Sequence, residues 1–120
     1  MPVDRTAWKR KEYFEQYHLT VPCTYSMTVQ IDITDLKMNG VSLYPSLLYG
    51  LSKAVNTFEE FRMAFDSNGQ LGIYDLLHPC YTVFHNESET FSTIWTEYAD
   101  DYEVFMKSYE LDRELYGNRE

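Results

Sequence analysis

The sequence predicts an α+β domain, a two-layer α/β sandwich with a mixed, mostly antiparallel sheet. Three observations carry this. From Cys23 to Ile33, Cys23, Tyr25, Met27, Val29, Ile31 and Ile33 alternate strictly with Thr24, Ser26, Thr28, Gln30 and Asp32. That period of two belongs to a strand covered on one side only. From His78 to Trp95, two aromatic and β-branched runs flank the polar link Asn86-Glu87-Ser88-Glu89, the pattern of neighbouring strands. Around these strands, two long segments space their apolar residues as helices do.

Residues 4–18 read as the first helix, with Asp4 or Thr6 as its cap and Trp8, Arg10, Phe14 and Tyr17 along one side. Val21 and Pro22 end the turn that leads into the Cys23–Ile33 strand. Lys37-Met38-Asn39-Gly40 reads as a turn. A helix follows from Ser42 to Thr57, with Pro45 tolerated in its first turn. Its expected buried stripe is Tyr44, Leu47, Leu48, Leu51, Val55 and Phe58. Arg62–Phe65 and Leu71–Tyr74 form a hairpin around Asn68-Gly69. Strands Tyr81–His85 and Phe91–Trp95 come next. Asp100 or Asp101 caps a last helix to Tyr116, stopped by Gly117, with Val104, Phe105, Ser108, Leu111 and Leu115 as its buried face.

At 120 residues the chain makes one domain, and its 44% hydrophobic and 17% aromatic content marks it as globular. A net charge of −9 argues against nucleic acid as a partner, because phosphate binding needs clustered Lys and Arg. No apolar run is long enough to span a membrane, and no basic-then-apolar leader opens the chain, so the expected location is cytoplasmic. Cys23 and Cys80 lack metal or redox spacing and read as free, buried thiols. With His18, His78 and His85 they make no ligand set, so no metal is expected.

The wording of the strands is more specific than their pattern. Pro79-Cys80-Tyr81-Thr82-Val83-Phe84-His85 followed by Glu89-Thr90-Phe91-Ser92 resembles the type A chloramphenicol acetyltransferases. So, in order, do Trp8…Arg10…Glu12-Tyr13-Phe14-Glu15, Pro22-Cys23-Thr24-Tyr25-Ser26, Ile31-Asp32-Ile33-Thr34, Tyr44-Pro45 and Phe61-Arg62-Met63-Ala64. The resemblance spans nearly the whole chain and implies the N-terminal portion of a chloramphenicol acetyltransferase-like domain. The family's reaction moves an acetyl group from acetyl-CoA to a hydroxyl of chloramphenicol, with a His as general base and a Ser on the tetrahedral oxyanion. Its His-His-x-x-x-Asp-Gly motif is not among these 120 residues. The chain therefore reads as a truncated member with no catalytic residue of its own, inactive alone. The alternative is a non-catalytic ligand-binding or oligomerisation fragment.

Carried over by position, the resemblance implies an acceptor pocket lined by Tyr17, Val21, Cys23, Tyr25, Cys80, Thr82, Phe91 and Thr93. Cys80 and Thr93 depart from the family's usual side chains. Without the resemblance, aromatic stripes at strand spacing read as core. Arg10 is implied to support the site through the motif's Asp, so here it should be solvated or paired with a substitute such as Glu12 or Asp4. His18, His78 and His85 read as structural, as lone histidines usually are. Glu97, Asp100, Asp101 and Glu103, beside a helix start, read as caps and dipole partners rather than an acid/base pair. A sheet with open edges predicts a homo-oligomer, and the family assembles as trimers.

Overall fold

The computed structural model describes residues 1–117. Its elements run α1 (Lys11–Glu15, continued by a wider π turn over Gln16–Thr20), α2 (Thr34–Met38), α3 (Leu43–Thr57), a 3-10 turn (Glu59–Arg62), β1 (Met63–Phe65), β2 (Leu71–Ile73), β3 (Cys80–His85), β4 (Thr90–Trp95) and α4 (Tyr102–Tyr116). The α+β class holds. The strands form two separate antiparallel hairpins, β1–β2 and β3–β4, rather than one continuous sheet.

The β3–β4 hairpin is one layer and α3 with α4 is the other. Tyr81 and Ile94 from the strands meet Phe105 and Tyr109 from α4, with Leu48, Tyr49, Val83, Ala99 and Met106 packed around them. This core is built on tyrosine. The Tyr81 ring lies 5.3 Å from Tyr109, and Tyr49 lies 5.7 Å from Phe105. Tyrosine is costly to bury unless its hydroxyl is satisfied. The Tyr81 hydroxyl shares a 2.8 Å hydrogen bond with Thr96, which is itself fully buried. Burial pushes the Tyr81 hydroxyl pKa up.

In the second unit, β2 is flanked on one side by β1 and on the other by the chain start. Val3 N–H donates to the Leu71 carbonyl, and Met1 exchanges bonds with Ile73 in both directions. A Cβ at Gly72 would stand 3.3 Å from the Met1 carbonyl oxygen, so glycine there admits the close approach. Phe14 and His18 of the first helix close over Phe65 of β1.

Several sequence expectations change. The first helix starts at Lys11, not at residue 4, because Asp4 spends its carboxylate on the N–H and hydroxyl of Thr6 in a local turn. Segment 34–38, read as loop and turn, is a short helix, and the turn proper is Asn39-Gly40 with Gly40 at φ 67°. The two long helices have the expected bounds within a residue or two, and Asp101 caps α4 by accepting from Val104 N–H. Their buried faces are rotated. On α3, Pro45 and Ser52 are buried, whereas Tyr44, Leu47, Leu51 and Phe58 are exposed. On α4, Phe105 and Tyr109 are buried, whereas Val104, Leu111 and Leu115 are exposed. A periodic stripe names the apolar side of a helix, but only the flank that meets the small β3–β4 layer is covered.

The largest change concerns Cys23 to Ile33. This segment forms no strand and pairs with no other among the described residues. Tyr25, Met27, Val29 and Ile31 are all exposed. Strand geometry is stabilised by ladder hydrogen bonds, and here no described neighbour supplies them.

Candidate functional site

Register decides what β3 and β4 present. Cys80 pairs with Trp95, Thr82 with Thr93, and Phe84 with Phe91. Successive side chains point to opposite sides of a strand. Tyr81, Val83, Ser92 and Ile94 therefore turn toward the helices, while Cys80, Thr82, Phe84, Phe91, Thr93 and Trp95 share the outer face. That face is open: Phe84, Phe91 and Trp95 are 61%, 67% and 60% exposed. The result is a shallow platform with three aromatic rings, two hydroxyls and a thiol. No cationic or anionic side chain lies on it.

Four of the eight residues assigned to the pocket from sequence thus stand together: Cys80, Thr82, Phe91 and Thr93. Phe84 and Trp95 were missed. Their parity, identical to that of Thr82 and Thr93, was the available signal. The other four lie on the N-terminal arm, with Tyr17 in the π turn, Val21 just past it, and Cys23 and Tyr25 in the unpaired segment. All four are exposed, Tyr25 to 86%. The arm's described packing is onto β1 through Phe14 and His18, so no described contact joins its four residues to the β3–β4 face. Both cysteines are free thiols, but they are exposed rather than buried.

Arg10 is solvated, as expected, yet its partner is neither Glu12 nor Asp4. Its guanidinium stands 3.8 Å from Glu60, with both side chains more than half exposed. A pair so open adds little.

The histidines have structural settings. His78 Nδ1 accepts from the Tyr98 backbone N–H at 2.9 Å, which leaves the ring proton on Nε2, and the ring packs against Trp95. His18 stacks between Phe14 and Phe65. His85 Nε2 lies 2.7 Å from Ser92 Oγ across the hairpin. Sequence reading missed that partner, because Ser92 is offset by two positions from the residue directly opposite His85. Among the described residues no group of three His, Cys, Asp or Glu side chains could hold a metal. No helix of the described residues is long and apolar enough to cross a membrane.

Two members of the acidic cluster, Asp100 and Asp101, have structural partners. Asp100 accepts from the Tyr98 hydroxyl at 3.0 Å and pairs with Lys53 of α3 at 3.2 Å. Its backbone carbonyl accepts from the Tyr49 hydroxyl. The Tyr98 hydrogen bond, followed by Lys53, holds the Asp100 pKa below the ordinary carboxylate range. A carboxyl whose folded pKa is depressed contributes stability above its unfolded pKa and loses it as pH falls through the folded value. Asp4 and Asp32, depressed by their bonds to Thr6 and Thr34, act in the same direction. The melting temperature should therefore fall as pH drops below about 4. Asp100→Asn should lower it at pH 7 and flatten that fall; an identical acid slope in the variant would show that Asp100 is not part of it.

The family model for chloramphenicol acetyltransferase matches residues 1–120. A chloramphenicol acetyltransferase of Campylobacter coli is 53% identical over 117 residues, covering 98% of this chain and 56% of that protein. One of Vibrio anguillarum is 56% identical over 115 residues, covering 96% of this chain and 53% of that protein. A solved structure of a chloramphenicol acetyltransferase superposes with a TM-score of 0.86 at 23% identity, over 100% of this chain and 58% of that one. The chain thus spans about half the length of the relatives it matches.

Proposed function

The chain belongs to the chloramphenicol acetyltransferase family, and from that premise we propose that it is the N-terminal, acceptor-binding portion of an acetyl-transferring enzyme. The outer face of β3–β4 is the floor for the acceptor. One observation carries this reading: Cys80, Thr82, Phe91 and Thr93, assigned separately from two strands, fall on a single exposed face. Phe84, Phe91 and Trp95 offer flat rings to the nitrophenyl group of chloramphenicol, and Thr82 and Thr93 offer hydroxyls to its polar arm. Tyr17, Val21, Cys23 and Tyr25 are assigned to the acceptor by the family resemblance alone, since the arm's described packing is onto β1. Arg10, whose described partner is the exposed Glu60, takes its supporting role in this proposal from the family resemblance.

Acetyl-CoA is the donor in this proposal. In the transfer, the acceptor hydroxyl oxygen attacks the thioester carbonyl, a base takes the hydroxyl proton, the C–S bond breaks, and the thiolate leaves with a proton. The β3–β4 face has no cationic group for the CoA phosphates, so the donor is held elsewhere. The three histidines are committed to Tyr98, to Ser92 and to aromatic stacking, which argues against any of them as the base. These 120 residues by themselves accordingly bind acceptor without turning it over. Self-association, as a trimer in the family's manner, covers the open faces, and two exposed free thiols suit the reducing cytoplasm.

Titration calorimetry of chloramphenicol into the chain tests the floor. Saturable heat is expected, with affinity falling about 3- to 10-fold in Phe91→Ala, the worth of one aromatic contact. No heat, or heat untouched by Phe91→Ala, would remove the acceptor role and leave a non-catalytic oligomerisation fragment as the reading.

A further inference from the structure

Trp95 stands at the end of the β3–β4 platform, in the last pair of the ladder, opposite Cys80. At 60% exposure it has little packing of its own to select a rotamer. The ring contact described for it is with His78. The two centroids lie 5.5 Å apart at an interplanar angle of 40°, a separation at which flat rings pack.

His78 is exposed as well, and an exposed imidazole with no bond would be free to turn. This one is held. Its Nδ1 accepts from the Tyr98 backbone N–H at 2.9 Å. Tyr98 is in turn anchored, being only 9% exposed and donating its hydroxyl to Asp100, which pairs with Lys53 of α3. Between Trp95 and Tyr98, the buried Thr96 donates its N–H to the Pro79 carbonyl at 3.2 Å. The chain after β4 is thus tied twice to the chain before β3, once through backbone and once through the His78 ring. The imidazole combines an acceptor nitrogen with a flat face. Phenylalanine has the face without the acceptor, and asparagine the acceptor without the face.

We infer that His78 is a positioning residue for the acceptor floor. Held by Tyr98, its ring fixes Trp95 in the orientation that a flat acceptor ring meets, which rests on the acceptor reading proposed above. His78 touches no reacting atom. Its effect is preorganisation: a Trp95 ring free to turn must be ordered at the moment of binding, and that ordering subtracts from affinity.

Chloramphenicol calorimetry and the near-ultraviolet circular dichroism of Trp95, measured on the same variants, test this. A Trp8→Phe background leaves Trp95 as the sole tryptophan. His78→Ala should weaken chloramphenicol binding about 3- to 10-fold. It should also shrink the Trp95 band while the far-ultraviolet spectrum stays the same, because water can reach the freed Tyr98 N–H beside an exposed side chain. His78→Phe, whose ring packs but is not held, should recover part of both losses. His78→Asn, which keeps an acceptor for Tyr98 but no ring, should behave as His78→Ala does. Recovery by His78→Asn and not by His78→Phe would overturn the inference, since the hydrogen bond alone would then be what counts. An unchanged Trp95 band in His78→Ala would overturn it too. Absence of chloramphenicol heat from the unsubstituted chain would overturn the acceptor role, and a band still lost in His78→Ala would separate that failure from a failure of the ring contact.

Discussion

Phe105→Ala is expected to cost the chain about 3–5 kcal/mol, the usual range for emptying a fully buried phenylalanine site. Phe105 has no exposed surface and belongs to the main core, which Tyr81, Ile94 and Tyr109 complete. A chain with so few buried side chains sits near the low end of the 5–15 kcal/mol that folded domains possess. The substitution should therefore remove most of its stability. With a urea slope of about 1.5 kcal/mol/M, the midpoint should move down by about 2–3 M. Leu51→Ala is the contrast. It removes a leucine that lies on the apolar stripe of α3 but is 65% exposed, and it should change stability by less than about 0.5 kcal/mol. Equal losses in the two variants would mean that the outer flank of α3 is covered in solution.

Asn56→Asp should be nearly as damaging, although it changes one atom. The Asn56 amide clamps α3 to the segment before β3. Its nitrogen donates to the carbonyls of Ser52 and Leu77, and its oxygen accepts from the Leu77 N–H. A carboxylate keeps the last bond and loses both donations. The two carbonyls then face a negative oxygen, at a cost of about 2–3 kcal/mol for partly buried groups left without a donor. The introduced carboxyl has its folded pKa raised, so the loss should be full at neutral pH and shrink as acid protonates it. Urea titrations at pH 7 and pH 4 decide the matter. A penalty independent of pH would show that the geometry of the clamp, rather than the two donations, was disturbed.

Much of the local structure was legible in residue pattern. The hairpins could be read because Asn68-Gly69 and the link after His85 are turn signals between β-rich runs, and α3 and α4 because their period and caps agree. The start of the first helix was misread because Asp4 forms a two-residue turn with Thr6, a local bond that competes with capping. The short helix at 34–38 was missed because five residues carry too little period to notice. Half of the candidate site, Cys80, Thr82, Phe91 and Thr93, came from positions carried over from the family resemblance. Phe84 and Trp95 escaped because the cross-strand register that gathers them with Thr82 and Thr93 is not written in either strand alone.

The family, the α+β class, the two strand hairpins and the apolar sides of both long helices were readable from residue order, since each depends on residues close together in the chain. Packing in three dimensions set which flank of each helix is covered, gathered Tyr49, Lys53 and Tyr98 at Asp100, and left residues 23–33 without a ladder among the described residues. Burial and strand pairing depend on what a segment meets, and periodicity states only what it is able to meet.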